Sequence, residues 1–179
     1  MRIFVTAAAA ALALLPASAS AALPQGGKAP DFRTVGALAG KPFRLHLAEQ
    51  LRRGPVVLYF FPKAFTKGCT LEAHAFSEAA GEFKKMGASV VGLSADDYET
   101  LRRFSVEECR NAFPVAMASS ATIGAYDVRF KEGAALTNRT SYVIAPDGRI
   151  LLAYSDLDWK NHVANSLAAV KAWRAAHRR

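Results

Sequence analysis

Cysteine is scarce in this sequence: Cys69 and Cys109 are the only two among 179 residues. No Cys-x-x-Cys pair occurs, so disulfide exchange through a vicinal dithiol lacks its motif. Histidine is nearly as rare. His46, His74, His162 and His177 are widely separated and show no metal-ligand spacing, so no metal site is expected. The formal charge is +8, but the basic residues are scattered apart from the closing "RAAHRR". No basic stripe is interleaved with aromatics, and a nucleic-acid partner is not expected. The longest apolar stretch at the start, Ile3 to Leu15, is too short to span a bilayer. No arginine pair precedes it and no cysteine stands at the cleavage region after it, which argues against a twin-arginine signal and a lipid anchor.

The first stretch is best read as an address. Arg2, the apolar run and the small residues "ASASAA" after Pro16 follow the order of an export signal, with cleavage expected before Ser20 or Ala22. The expected organisation is a signal over residues 1–21 and a single domain over residues 22–179, periplasmic or secreted, with no stable membrane anchor. Hydrophobic residues at 51% and charged residues at 21% fit a globular chain, and no internal repeat is visible.

Along the domain, periodicity predicts an alternation of strands and helices. A short strand is expected near Phe43 to Leu47, and a buried one over Val56 to Phe61. A helix follows from about Cys69 to Lys85, with Leu71, Ala75, Phe76, Ala79 and Phe83 as its apolar positions and Gly87 as its stop. Ser89 to Ser94 reads as the next strand. Asp96 or Asp97 is placed to cap a helix reaching Cys109 or Arg110. Pro114 to Met117 is extended, and Ala118 to Tyr126 a small helix. Thr140 to Ala145 and Ile150 to Tyr154 form a hairpin about Pro146-Asp147-Gly148. A last helix over about Asp158 to Ala176 carries Val163, Leu167, Val170 and Trp173 as its stripe. The expected class is α/β, with a central mixed sheet flanked by helices.

The chemistry concentrates in "FFPKAFTKGCTLEAHAF". An apolar strand stops at Pro62, and Cys69 opens a helix. There the unpaired backbone N–H groups and the positive end of the helix dipole favour a thiolate, the reactive form of cysteine. Thr66 carries a hydroxyl that can reach the same point, Pro62 can shield the sulfur, and Gly68 permits close backbone approach. A small buried cysteine at an ordinary strand-to-helix turn is the plainer reading, and two cysteines in an exported protein also fit one structural disulfide.

Pro62, Thr66 and Cys69 in "PKAFTKGC" resemble the Pro-x-x-x-Thr/Ser-x-x-Cys signature of peroxiredoxins. "KGCTLEA", "VVGLSADDYETLRRF" and "NRTSYVIAPDGRI" are similar to segments of the bacterioferritin-comigratory-protein, or peroxiredoxin Q, branch, so that the resemblance covers roughly residues 28 to 155. It implies a thioredoxin-like fold and thiol-dependent reduction of hydrogen peroxide and organic hydroperoxides, with no metal, haem or flavin cofactor. By the same resemblance Cys69 is the peroxidatic cysteine, Thr66 orients the peroxide, Pro62 shields the sulfur and Arg139 polarises thiolate and peroxide. Read alone, Arg139 before a core strand suits a surface ion pair equally well. Glu72 matches a position that can meet an arginine, and also suits the first turn of a helix.

Two departures stand out. Lys67 occupies a position where many relatives have proline. His74 occupies the place, five residues after Cys69, of the resolving cysteine of many relatives. Cys109 then either attacks the sulfenic acid or is a buried helix cysteine in a one-Cys enzyme served by an external thiol. The implied reductant is a thioredoxin-like protein or a small thiol, and the implied assembly a monomer or homodimer. A thiol-based redox sensor or binding protein on the same fold is the competing class.

Overall fold

The computed structural model describes residues 22–177. The expected signal over residues 1–21 lies outside the described residues. The elements run β1 (Arg33–Leu38), β2 (Lys41–His46), α1 (Leu47–Leu51), β3 (Val56–Phe60), α2 (Lys67–Lys85), β4 (Ser89–Ser94), α3 (Tyr98–Glu107), β5 (Val115–Met117), α4 (Ser120–Ala125), β6 (Thr140–Ile144), β7 (Ile150–Ser155) and α5 (His162–Ala176). The strands form one seven-stranded sheet in the order β2-β1-β5-β4-β3-β6-β7. β3, β4 and β5 are parallel, while β1 joins β5, and β6 joins β3, antiparallel. This is the central mixed sheet flanked by helices that the thioredoxin-like resemblance implies.

β3 is an interior strand, between β4 and β6. All five residues of "VVLYF" are buried, and an apolar run of that length suits a strand covered on both faces. Its side chains alternate between two cores. Val56, Leu58 and Phe60 join Leu47, Ile123, Tyr126 and Tyr142 on one side. Val57, Tyr59 and Phe61 join Phe76, Phe83, Phe104 and Val170, from α2, α3 and α5, on the other. Among the described residues no helix is long and apolar enough to cross a membrane.

Sequence and structure differ in instructive places. β1 and α1 were not expected from the sequence. The helix expected to reach Cys109 or Arg110 ends at Glu107, and Cys109 lies just beyond it, its amide bonded to the Phe104 carbonyl at 3.0 Å. Arg110 and Asn111 then take left-handed φ of 50° and 61°, so the chain cannot continue as helix. On α2, Leu71 is exposed, and the inward positions are Cys69, Glu72, Ala73, Phe76 and Phe83.

Candidate active site

The turn from β3 into α2 is fixed from several sides. The Phe61 amide bonds to the Leu93 carbonyl at 3.0 Å, and the Phe61 carbonyl accepts from the Thr137 hydroxyl at 2.7 Å. The Ala64 amide donates to Asp96 Oδ2 at 2.7 Å, and that oxygen also accepts from Ser94 Oγ at 2.8 Å. Asp96 is thus a strut for the loop, while Asp97 caps α3 through the Thr100 amide. Phe65 holds a left-handed φ of 62°, a conformation costly for a bulky residue. Its ring meets Phe104 edge-on at 5.2 Å, and the Arg103 guanidinium lies over it at 5.1 Å. Packing therefore compensates the unusual backbone.

This loop delivers Cys69 as the third residue of α2, with only 2% of its surface exposed. The first intrahelical bond runs from the Thr70 amide to the Thr66 carbonyl. The amides of Lys67, Gly68 and Cys69 precede it and contribute the positive end of the helix. Thr66 is the N-cap residue and is exposed; its hydroxyl donates to the Lys63 carbonyl at 2.9 Å rather than to the helix. With that hydrogen committed, Thr66 Oγ1 is left as an acceptor. Pro62 is half-buried at the start of the turn.

Arg139 precedes β6 and is 5% exposed. All three of its guanidinium nitrogens are engaged. Nη2 reaches Cys69 Sγ at 3.4 Å, Nη1 donates to Glu72 Oε2, and Nε donates to the Leu157 carbonyl at 2.9 Å. Gly68 makes room for this arm, since a Cβ there would come within 3.2 Å of Nη2. Burial works against the guanidinium charge, yet Glu72 and Cys69 hold its pKa above the ordinary arginine value. Arg139 is therefore no surface ion-pair residue. Glu72 is fully buried, and burial pushes its carboxyl up to about 8 against the pull of Arg139. Its other oxygen, Oε1, has no hydrogen-bond partner and lies 3.8 Å from Nδ1 of the buried His162.

Cys109 is fully buried, and no disulfide joins it to Cys69. Burial, reinforced by Glu108, pushes its thiol far above the ordinary cysteine range. The Tyr59 hydroxyl lies near the thiol without closing a hydrogen bond of ordinary geometry. The segment carrying Cys109 is clasped to α2 at two points: His74 Nε2 meets Glu108 Oε2 at 2.8 Å, and Arg110 Nη1 meets Glu78 Oε1 at 3.4 Å. His74 and Glu78 are one helical turn apart, on the same face.

Of the residues expected from sequence, Cys69 and Arg139 stand in direct contact, and Thr66 and Pro62 flank them on the same turn. Cys109 sits apart from them, in the turn after α3. Sequence reasoning missed Asp96 as a strut and gave His162 no role. The available signal for His162 was its spacing with Ser166 and Val170, which places all three on the buried stripe of α5.

The chain matches the AhpC/TSA family over residues 25–153. It is 33% identical over 155 residues to the chloroplastic peroxiredoxin Q of Arabidopsis thaliana, covering 83% of this chain and 67% of that one. The crystal structure of peroxidoxin BcpB from Mycobacterium tuberculosis superposes with a TM-score of 0.72 at 33% identity, covering 83% of this chain and 96% of that one. A peroxiredoxin Q structure from Xanthomonas campestris superposes with a TM-score of 0.67 at 28% identity, over 79% of this chain and 90% of that one. This chain belongs to the AhpC/TSA family, as a thiol-dependent peroxidase of the peroxiredoxin type.

Proposed function

We propose that Cys69 is the peroxidatic nucleophile of an exported peroxidase and that Cys109 resolves its sulfenic acid. The observation that carries the first part is the Arg139 arm. A guanidinium fixed by Glu72 and the Leu157 carbonyl spends its remaining nitrogen on Cys69 Sγ. A cation so placed stabilises negative charge at the sulfur and adds no reorganisation when that charge moves.

The Cys69 thiolate attacks the terminal oxygen of ROOH in line with the O–O bond. An S–O bond forms, the O–O bond breaks, and Cys69 becomes a sulfenic acid while RO⁻ leaves and takes a proton to give ROH. Thr66, its own hydrogen held by Lys63, accepts from the peroxide hydroxyl. Arg139 and the first amides of α2 face the developing negative charge, and Pro62 covers one side of the sulfur. The substrate class is hydrogen peroxide and organic hydroperoxides.

Cys109 then displaces water from the sulfenic sulfur to form a Cys69–Cys109 disulfide. A disulfide needs Cα atoms within about 7 Å, and a buried thiol with a raised pKa is a weak nucleophile. Resolution therefore follows release of the two-point clasp between α2 and residues 108–110. Substituting Glu108→Gln should speed disulfide closure; unchanged closure would place the barrier elsewhere.

Export rests on Arg2, the Ile3 to Leu15 run and the small residues that follow, with residues 22–179 as the mature domain. In the periplasm or the medium the disulfide persists unless a thiol donor reduces it. The reductant is then an exported thioredoxin-like protein or a small thiol, oxidised to its own disulfide as Cys69 and Cys109 return to thiols. The assembly is a monomer or homodimer. Peroxide consumption with a dithiol reductant tests the reading: wild type turns over repeatedly and Cys69→Ser does not. A single oxidation without turnover would identify a sensor instead.

A further inference from the structure

We infer that His162 is a positioning residue of the peroxidase site, holding Arg139 in place from behind through both of the guanidinium's protein anchors. The inference rests on Arg139 serving Cys69 as proposed above. His162 is fully buried at the start of α5. Its Nε2 lies 2.9 Å from the Asp156 carbonyl, which can only accept, so Nε2 carries the hydrogen. Nδ1 is then a lone pair, and at 2.8 Å it accepts from Ser141 Oγ on β6. The ring's tautomer and orientation are set from two sides.

Each side leads to Arg139. Asp156 donates its amide to the Arg139 carbonyl at 3.2 Å, and the next residue, Leu157, supplies the carbonyl that takes Arg139 Nε at 2.9 Å. The hold of His162 on Asp156 thus fixes the segment that fixes Nε. On the other side the Nδ1 edge lies 3.8 Å from Glu72 Oε1, the buried carboxylate oxygen without a hydrogen-bond partner. The ring bounds the space in which Glu72 can turn, and Glu72 Oε2 takes Arg139 Nη1. The charged or titratable groups that face His162 are Glu72 from α2, Arg139, and Asp156 and Asp158 from the loop after β7, and Tyr154 of β7 packs its ring on the imidazole at 4.8 Å. Burial and Arg139 together keep the ring neutral at ordinary pH. A neutral ring of fixed tautomer suits an alignment role.

The test separates the two ring nitrogens. His162→Gln keeps a donor near Nε2, His162→Asn keeps an acceptor near Nδ1, and His162→Leu keeps neither. The readouts are the second-order rate of Cys69 oxidation by hydrogen peroxide, the rate of Cys69 alkylation by iodoacetamide at pH 7, and thermal unfolding. Expected for His162→Leu is oxidation slowed about tenfold, the scale of one misaligned donor, with alkylation slowed as well. His162→Gln should return to within about threefold of wild type, since it keeps the tie to Asp156 and so to the Arg139 donor geometry. If the Leu variant does not fold, Gln against Asn decides, with Asn the slower. Folded variants that all oxidise and alkylate as wild type does, or a Gln variant no faster than Asn, would overturn the inference. Peroxide turnover surviving in Cys69→Ser would instead remove the functional reading beneath it.

Discussion

Replacing Arg139 by Met separates rate from stability. The side chain serves two partners at once: Nη2 lies 3.4 Å from Cys69 Sγ and Nη1 holds Glu72. Unit charges at that separation interact by about 5 kcal/mol at an effective dielectric near 20. Only the part gained in the transition state alters the rate, and losing one preorganised donor commonly costs about a hundredfold or more. Thr66 and the helix amides remain, so oxidation of Cys69 should slow about a hundredfold, roughly 3 kcal/mol. Stability should fall as well, because the fully buried Glu72 carboxyl loses its partner at Oε2; a buried polar group left unpaired costs about 1–3 kcal/mol. Adding Glu72→Leu removes the unpaired polar group. The double variant should regain most of the stability and none of the rate. Stopped-flow peroxide oxidation and urea unfolding of both single variants and the double read the two effects. Wild-type oxidation in Arg139→Met, or recovery of rate in the double variant, would refute the reasoning.

Thr66→Val should slow Cys69 oxidation about tenfold by deleting one acceptor for the peroxide hydroxyl, measured by competition against a second peroxidase; an unchanged rate removes Thr66 from the mechanism. Burial depresses His162 to about 4 from 6.5, so its contribution to stability is complete above 6.5 and is lost as pH falls toward 4, by up to about 3 kcal/mol. Glu72, pushed up to about 8 by burial, runs the other way and costs stability as pH rises from 4.5. Wild type should therefore be compared with His162→Asn: its stability advantage in urea at pH 7 should shrink as pH is lowered to 4, and a constant difference would contradict a buried neutral ring. Exported protein should begin at Ser20 or Ala22 on N-terminal sequencing of the periplasmic fraction, and a full-length N-terminus in the cytosol would overturn export.

Much of this was legible because the signals were strong and local. "VVLYF" has no charged residue and reads as a buried strand, and Pro146-Asp147-Gly148 between two apolar runs specifies a hairpin. β4 lies where the sequence placed it, at Ser89–Ser94. β1 was hidden because "RTVGAL" is half-exposed and owes its conformation to pairing with β2 and β5, both distant in periodicity terms from any apolar alternation. α1 has five residues, too few to show a helical period. On α2 the apolar pattern pointed to Leu71, whereas the inward place one residue on belongs to Glu72. A carboxylate is buried only when a cation from elsewhere in the chain meets it, and Arg139 is remote in sequence. Cys69, Thr66 and Pro62 were readable together because they lie within eight residues of one another. Arg139 and Glu72, remote from each other in sequence, were reached only through the resemblance, and the support from Ser141, Leu157 and His162 is assembled only by the fold.

The most direct measurement is dimedone labelling of Cys109→Ser after one equivalent of hydrogen peroxide, read by peptide mass spectrometry. With no resolving thiol, the sulfenic acid should be trapped on the peptide carrying Cys69, in near-stoichiometric yield. Peroxide consumed with Cys69 unmodified would show that the nucleophile is not Cys69.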